Sequence, residues 1–307
     1  MDRGVTVLGS ANVDVFLRVR TLPAAGETVL ADGRQEHPGG KGLNQAVAAV
    51  RAGAATSFIG SLGQDAAGNL LLASLREALV DTSAVTRVET PSGSAVIVVQ
   101  DSGENTIVVD AGANGVLIEL SAPARAAVQR CGVLLCQLEV PLVVVAEAAA
   151  LARQAGITVV INASPVTPLD DSVLSSVDVL MVNEHEALAL ALDGGSDAIA
   201  AAVTLAARGH DVVVTLGARG AAHVDRQGRV DHVPGVPAAV RDTTGAGDTF
   251  AGVLAASVAA GETVGAAVRR AVVAGALAVE RDGAVPSIPT RAAVNARLAE
   301  VQDRSTD

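Results

Sequence analysis

Short apolar runs alternate with longer runs of helical periodicity along most of the chain. The apolar runs predict strands over residues 5–9, 56–60, 133–138, 157–162, 179–182 and 212–216. Apolar residues at helical spacing predict helices over residues 42–52, 67–78, 143–154, 184–192, 199–207, 249–260, 264–280 and 291–301. Because the strands are almost continuously apolar, we expect an α/β fold with a large doubly wound, mostly parallel sheet and helices on both faces.

Two segments, 14–37 and 92–110, interrupt this alternation. They carry strand patterns without intervening helices, over residues 15–19, 28–30, 94–100 and 106–109. We expect the two insertions to form a small antiparallel β lid beside an α/β domain made of residues 1–13, 38–91 and 111–307. A small sheet with an exposed face has to be covered, either by a partner subunit or by a bound substrate.

Composition narrows the class of protein. The 307 residues are 50% hydrophobic and 18% charged, as is typical of a packed globular chain. The net charge of −11 argues against a nucleic-acid partner or an anionic membrane surface. Cys131 and Cys136 lie in one apolar run, which does not suggest a disulfide framework, and the N-terminus shows no secretory signal. We therefore expect a cytoplasmic enzyme or binding protein.

The most informative segment is a glycine-rich loop, Gly245-Ala246-Gly247, which is followed by Asp248 at the start of a predicted helix. Glycines allow several backbone N–H groups to converge, and a helix N-terminus adds partial positive charge. Such a turn binds phosphate or a transferring phosphoryl group. A carboxylate there can take a proton from an attacking hydroxyl, which indicates a kinase that acts on a small alcohol. The simpler alternative is that Asp248 only caps the helix.

A second group of polar residues follows strands elsewhere in the chain. Asn12 and Asp14 come after the first strand and point to one side of an extended segment, where they can grip vicinal hydroxyls or simply form Asx turns. Lys41 and Asn44 follow a Gly-Gly pair, and this turn either approaches a ligand closely or merely starts a helix. Glu139 follows a buried strand, and an unpaired buried carboxylate is costly, so we interpret it as functional.

Asn183 and Glu186 lie three residues apart at the start of a predicted helix, so their side chains can share one face. For Glu186 alone, a helix-capping role is the favoured interpretation. His185 between them suggests a metal ligand, but a solvent-facing histidine is the better interpretation.

Together these segments resemble the ribokinase-like family of sugar kinases over nearly the whole chain. Each segment is a weak signal, whereas their ordered occurrence is highly specific. The matching segments are GSANVD at 9–14, PAAGET at 23–28, GGKGLNQAVA at 39–48, GAN at 112–114, QLE at 137–139, NEHE at 183–186, TLGARG at 215–220 and DTTGAGDTF at 242–250.

The resemblance implies roles for individual residues. Asp248 would be the general base, and the amides of Gly245, Ala246 and Gly247 would form the anion hole. The residues implied to bind the sugar are Asn12, Asp14, Gly40, Lys41, Asn44 and Glu139, with Asp248 beside them. Leu43 stands where the family commonly has a smaller alanine, so we expect a differently shaped pocket wall.

The resemblance also implies cofactor sites. Asn183 and Glu186 would hold Mg²⁺ and phosphates through water, while Thr215, Gly217 and Gly220 would lie along the ATP, with Gly247 at its phosphates. A monovalent cation, K⁺, would lie beside the anion hole. The positions implied for it, several through backbone carbonyls, are Asp242, Thr244, Ala278, Arg281, Gly283 and Ser287.

The implied activity is transfer of the γ-phosphoryl group of MgATP to the O5 hydroxyl of D-ribose, by a homodimer that associates through the β lid. Phosphorylation of fructose, deoxyribose or a nucleoside would use the same general base and differ only in the pocket. A sugar-binding regulator that has the fold without the chemistry is the alternative from another class.

Overall fold

The computed structural model of the chain describes residues 4–191 and 197–304, without the side chains of 303 and 304. Its strands are β1 Val5–Leu8, β2 Asn12–Val19, β3 Gly33–Gly39, β4 Thr56–Gly63, β5 Val85–Val88, β6 Gly93–Gln100, β7 Asn105–Asp110, β8 Val133–Cys136, β9 Thr158–Asn162, β10 Val179–Asn183, β11 Asp211–Thr215, β12 Gly220–Val224 and β13 Val230–Pro234. Its α-helices are α1 Lys41–Arg51, α2 Ala66–Glu77, α3 Ala122–Arg130, α4 Leu142–Gln154, α5 Asp171–Leu174, α6 Glu184–Leu190, α7 Ala198–Ala206, α8 Ala246–Ala259, α9 Val264–Ala278, α10 Ala284–Ser287 and α11 Arg291–Arg304.

The main sheet has nine strands in the order β13-β12-β11-β10-β9-β8-β1-β4-β5. Its strands from β11 to β5 pair in parallel, and β12 and β13 add an antiparallel edge. The predicted α/β class with a mostly parallel sheet is therefore confirmed. The strand order reverses at β1, and ligands of open α/β sheets bind at the carboxyl ends of the strands beside such a reversal.

Helices cover both faces of the main sheet, as expected from its apolar strands. One apolar core lies against α3, α4, α6 and α7, and the other lies against α1, α2, α8 and α9. Strand β8 shows the alternation directly, since Leu134 and Cys136 belong to the first core and Val133 and Leu135 to the second. Leu43 is fully buried in the second core, so the expectation that it shapes the pocket wall is wrong.

Four strands in the order β3-β2-β6-β7 form a separate small sheet, which we call the lid sheet. Two details differ from the prediction. The strand expected at 28–30 is absent from the described structure, and β3 takes its place. Strand β3 has the sequence GRQEHPG, which lacks the apolar alternation of a strand. Because β3 is an edge strand of the lid sheet, it can form without that alternation and can contain Pro38, which cannot donate a backbone hydrogen bond. The central pair, β2 and β6, is parallel, because both strands leave the main domain at the same end.

Other differences are minor. The helix expected over 184–192 ends at Leu190, and residue 192 lies outside the described residues. Helix α3, strand β5 and the β12–β13 hairpin had no counterpart among the predicted elements. None of the helices in the described part of the chain has the length and apolarity needed to cross a membrane.

Candidate active site

The glycine-rich loop begins α8 as predicted. Gly245 has a φ of 73°, in the left-handed region that favours glycine, and it is the N-cap residue of the helix. Ala246, Gly247 and Asp248 form the first turn. The first N–H groups of a helix have no partner within it, and they carry partial positive charge. This turn thus has the chemistry of an anion site, whose ligand remains a prediction.

Asp248 is 9% exposed and receives hydrogen bonds from two consecutive residues of α1. Asn44 Nδ2 donates to its Oδ2 atom over 3.0 Å, and Gln45 Nε2 donates to its Oδ1 atom over 2.9 Å. Close packing of α1 on α8 makes these contacts possible, because a Cβ atom at Gly252 would lie 2.5 Å from the backbone oxygen of Gln45. Asp248 is therefore held at the junction of two helices rather than serving as a simple cap.

The turn after β1 packs tightly against the turn that begins α1. Gly40 has a φ of 89°, and a Cβ atom there would lie 2.7 Å from the backbone nitrogen of Asn12. Glu139 Oε2 accepts hydrogen bonds from Ser10 Oγ over 2.5 Å and from the backbone N–H of Lys41 over 3.3 Å. The predicted sugar-binding segments around residues 12, 40 and 139 are thus brought together.

Asp14 lies close to this group. Burial, followed by the negative charges of Glu139 and Asp248, raises the pKa of Asp14 from 3.8 to about 7. A Cβ atom at Gly39 would lie 2.1 Å from the Asp14 Oδ2 atom, so glycine makes room for this carboxylate. The perturbed carboxyl of Asp14 therefore lies near Glu139 and Asp248 at the candidate sugar site, and a perturbed group in such a place is common at functional sites.

A cleft joins Asp248 to residues predicted to bind the nucleotide. Lys41, Gly245, Gly247 and Asp248 line it together with Asn183, Glu186 and Thr215. The cleft lies at the carboxyl ends of β10 and β11, where an α/β sheet binds ligands. Lys41 and Asp248, which stand more than 200 positions apart in the sequence, thus meet in one place.

Asn183 and Glu186 form a capping box at the start of α6. Glu186 Oε2 accepts from the backbone N–H of Asn183 over 2.8 Å, and Asn183 Oδ1 accepts from that of Glu186 over 2.9 Å. The second carboxylate oxygen of Glu186 takes no part in the box. His185 is exposed, in agreement with its interpretation as a solvent-facing residue.

Thr215 ends β11, and Gly217 and Gly220 form the tight turn that leads into β12, both with positive φ. A Cβ atom at Gly220 would lie 2.1 Å from the backbone oxygen of Val233, so this glycine is required by the hairpin itself. Its presence in the motif therefore has a structural cause, and the nucleotide contacts of this turn remain a prediction.

The residues predicted to hold a monovalent cation come from two segments that the fold brings together. Asp242 Oδ1 accepts from the Thr244 hydroxyl and backbone N–H, and its Oδ2 atom accepts from the backbone N–H of Gly283 over 2.8 Å. Burial alone would raise the pKa of Asp242, but the hydrogen bonds from Thr244 and Gly283 outweigh it and lower the pKa below its usual range. The carboxylate therefore stays negative at neutral pH.

The remaining positions of that set lie in the second segment. The backbone oxygen of Ala278 accepts from the N–H of Arg281, and the hydroxyl of Ser287 donates to the backbone oxygen of Ala284. No group of three or more His, Cys, Asp or Glu side chains suited to a metal ion occurs in the described parts of the chain. Any cation at this place would therefore depend on backbone and hydroxyl oxygens besides Asp242.

Several residues of the site escaped the sequence prediction. Gln45 contacts Asp248, Gln137 and Asn162 contact Gln45, and Asn114 donates to Asn12 Oδ1 over 2.8 Å. All four are buried polar side chains. Their positions in the sequence could have identified them as site residues. Gln137 and Asn162 lie at the ends of apolar strands, and Gln45 and Asn114 lie inside the motifs that match the family.

Comparison with known proteins shows the family to which the chain belongs. The sequence model for the pfkB family carbohydrate kinases matches residues 2–291. The chain belongs to the pfkB family of carbohydrate kinases. The ribokinase of Haemophilus influenzae is 37% identical over 297 residues, which cover 95% of this chain and 97% of that protein.

Solved structures give the same result for the fold. The structure of the ribokinase of Arabidopsis thaliana, complexed with ribose and ATP, matches with a TM-score of 0.91 and 33% identity over 96% of this chain and 98% of that one. The ribokinase of Cryptococcus neoformans var. grubii in complex with ADP matches with a TM-score of 0.80 and 33% identity over 96% and 99% of the two chains. The protein is thus a ribokinase-like carbohydrate kinase.

Proposed function

We propose that the protein is an ATP-dependent ribokinase, which transfers the γ-phosphoryl group of MgATP to the O5 hydroxyl of D-ribose and forms ribose 5-phosphate and ADP. The observation that carries the proposal is the position of Asp248, which acts electrostatically on Asp14 and also lines the cleft beside Asn183. Similarity to ribokinases over nearly the full length supports ribose as the sugar.

In the proposed reaction, Asp248 accepts the proton of the O5 hydroxyl while that oxygen attacks the γ-phosphorus. The bond from the γ-phosphorus to the bridging oxygen breaks, and ADP leaves with the electron pair. The backbone N–H groups of Gly245, Ala246 and Gly247 would stabilise the charge on the γ-phosphoryl oxygens. The left-handed turn at Gly245, which begins α8, supports this role.

The proposed sugar contacts follow from which atoms are already engaged. Asn114 Nδ2 donates a hydrogen bond to Asn12 Oδ1, so the Asn12 Nδ2 group remains available to donate to a sugar oxygen. Asp14 and Glu139 would accept from sugar hydroxyls, and Lys41 would donate. The full proposed set is Asn12, Asp14, Gly40, Lys41, Asn44 and Glu139.

The cleft residues fit a magnesium nucleotide. Glu186 Oε2 is engaged in the capping box, which leaves the second oxygen to accept from the water shell that Mg²⁺ retains. Thr215, Gly217 and Gly220 would lie along the nucleotide. When bound, Mg²⁺ supplies charge neutralisation at the phosphates.

The loops tied together by Asp242 fit a monovalent cation, and we assign K⁺ to them. Asp242 stays negative, and its hydrogen bond to Gly283 joins the two segments that carry the proposed ligands. The proposed positions are Asp242, Thr244, Ala278, Arg281, Gly283 and Ser287. The cation would supply positive charge behind the turn at Gly245.

We further propose that the insertions 14–37 and 92–110 form a lid over the sugar, apart from the α/β domain, and that two lids pair in a cytoplasmic homodimer. Three consecutive apolar residues of the edge strand β7 support the pairing, since Ile107, Val108 and Val109 are 55%, 65% and 56% exposed. Exposed apolar residues on an unpaired edge strand are typical of an association surface.

A coupled assay of ADP release tests the proposed function. MgATP is offered with a panel of pentoses, hexoses and nucleosides, with and without K⁺. A preference in kcat/KM for D-ribose that rises with K⁺ is the expected result. Stronger turnover of another sugar would contradict the assigned substrate, and sugar binding without turnover of any panel member would favour a regulator.

A further inference from the structure

Three buried side-chain amides form a chain behind Asp248. Gln45 and Gln137 are fully buried, and Asn162 at the end of β9 is 6% exposed. Gln137 Nε2 donates to Gln45 Oε1 over 2.6 Å. Gln45 Nε2 in turn donates to Asp248 Oδ1 over 2.9 Å and to Asn162 Oδ1 over 3.0 Å. Residues from α1, α8 and the ends of two strands are thereby joined through Gln45.

The carboxylate of Asp248 determines which way round the side-chain amides of Gln45 and Gln137 are oriented. A general base starts ionised, and an ionised carboxylate only accepts hydrogen bonds, so Gln45 has to present its Nε2 group. Its Oε1 atom then points away from Asp248 and is paired by the amide nitrogen of Gln137. Turning either amide round would place two acceptors against each other in a buried site, which is unfavourable. The orientation of Gln45 is therefore determined from both sides.

The two oxygens of Asp248 are held by different residues. Asn44 donates to Oδ2 and Gln45 donates to Oδ1, so rotation of the carboxylate plane would break at least one hydrogen bond. Each carboxylate oxygen can accept two hydrogen bonds, and lone-pair positions therefore remain for the substrate hydroxyl. Proton transfer requires a fixed geometry of this kind, because small displacements of a catalytic group reduce the rate strongly.

We propose that Gln45 is a positioning residue of the phosphoryl-transfer reaction. Held by Gln137 and Asn162, it sets the plane of Asp248 so that an unused lone pair faces the attacking hydroxyl. The inference rests on the proposed function, since it requires Asp248 to be the general base. Because Gln45 acts through Asp248, its loss reduces kcat and leaves sugar affinity nearly unchanged.

The test compares three variants with the wild-type chain. Gln45→Met keeps the length of the side chain but removes its donor, and we expect kcat to fall about 10–100-fold. Gln137→Met removes the group that orients Gln45, and we expect a smaller fall in kcat. Thr249→Val is the matched control, because Thr249 adjoins Asp248, is fully buried, and its Oγ1 atom has no hydrogen-bond partner within the described structure. We expect the control to keep its kcat.

Sugar affinity by calorimetry and the thermal midpoint are measured for each variant. A purely structural role for Gln45 would lower kcat, sugar affinity and thermal midpoint together, and that result would overturn the proposal. An unchanged kcat in Gln45→Met would overturn it as well, and so would an unchanged kcat in Gln137→Met should the first variant not fold. Turnover by the wild-type chain distinguishes failure of the proposed function from failure of this inference. A wild-type chain that phosphorylates no sugar would contradict both, whereas an active wild type with an unaffected Gln45→Met variant would contradict the inference alone.

Discussion

Asp248 has the surroundings of a base that is held in a fixed position, because donors engage both of its oxygens and it directly follows the glycine-rich segment that begins α8. We expect Asp248→Asn to lower kcat by about 10²–10⁴-fold, because an amide of the same shape cannot take up the hydroxyl proton. Steady-state kinetics with MgATP and D-ribose check this. Turnover close to the wild-type value would exclude Asp248 as the general base.

Asp14 links stability to pH. Its pKa, raised from 3.8 to about 7, means that the folded chain binds the proton more tightly than the unfolded chain, so stability falls as the pH rises between these two values and the loss is complete above pH 7. We expect Asp14→Asn to raise the thermal midpoint most at pH 8, where the folded wild-type chain holds a charged carboxylate, and by a smaller amount at pH 5, where the carboxyl is ionised in the unfolded chain only. The same variant should bind the sugar more weakly at pH 8, since an acceptor is lost. An equal shift at both pH values would contradict this assignment.

At the scale of elements, the contact of α1 with α8 determines whether the amides reach Asp248. A Cβ atom at Gly252 would lie 2.5 Å from Ala48 Cβ and also 2.5 Å from the backbone oxygen of Gln45. We expect Gly252→Ala to destabilise the fold by about 1–3 kcal/mol through overpacking and to lower kcat as the helices separate. Chemical denaturation and steady-state kinetics measure both effects.

Gly275 in α9 provides the control for that substitution. A Cβ atom there would meet its nearest neighbour, the Ala246 oxygen, at 3.7 Å, an ordinary contact. Gly275→Ala should therefore stabilise the chain by about 0.5–1 kcal/mol, as in other helix interiors. If the two variants changed stability in the same direction, the close approach of α1 and α8 would not be the cause.

At the scale of the whole molecule, the lid sheet presents an apolar edge that the chain itself leaves exposed. Ile107 and Val109 lie two residues apart on β7 and therefore share one face. We expect the double variant Ile107→Asp, Val109→Asp to convert the proposed dimer to monomers, as measured by light scattering. Val230→Asp, at an exposed valine of β13 far from the lid in sequence, should keep the dimer. A monomeric wild-type chain would contradict the proposed pairing.

Much of the architecture could be predicted from sequence, because it depends on local patterns. Apolar runs such as those of β8 and β9 are buried on both faces, so their composition indicates a covered parallel sheet without knowledge of their neighbours. The turn at Gly245 and the carboxylate after it are likewise local, since backbone freedom and helix polarity act within a few residues. Strand β3 could not be predicted in this way, because an exposed edge strand needs no apolar pattern and its sequence therefore lacks the local signal.

Only the tertiary structure decided how the site is assembled. Gln45 and Asp248 are 203 residues apart, and their hydrogen bond depends on the packing of two helices rather than on either segment alone. The perturbed pKa of Asp14 has the same origin, since burial and the charges of Glu139 and Asp248 act through space. The sequence by itself determined most of the main-sheet strands and their helices and the place of Asp248 after a glycine-rich turn, whereas the partners of that carboxylate were decided by long-range packing, which no local pattern records.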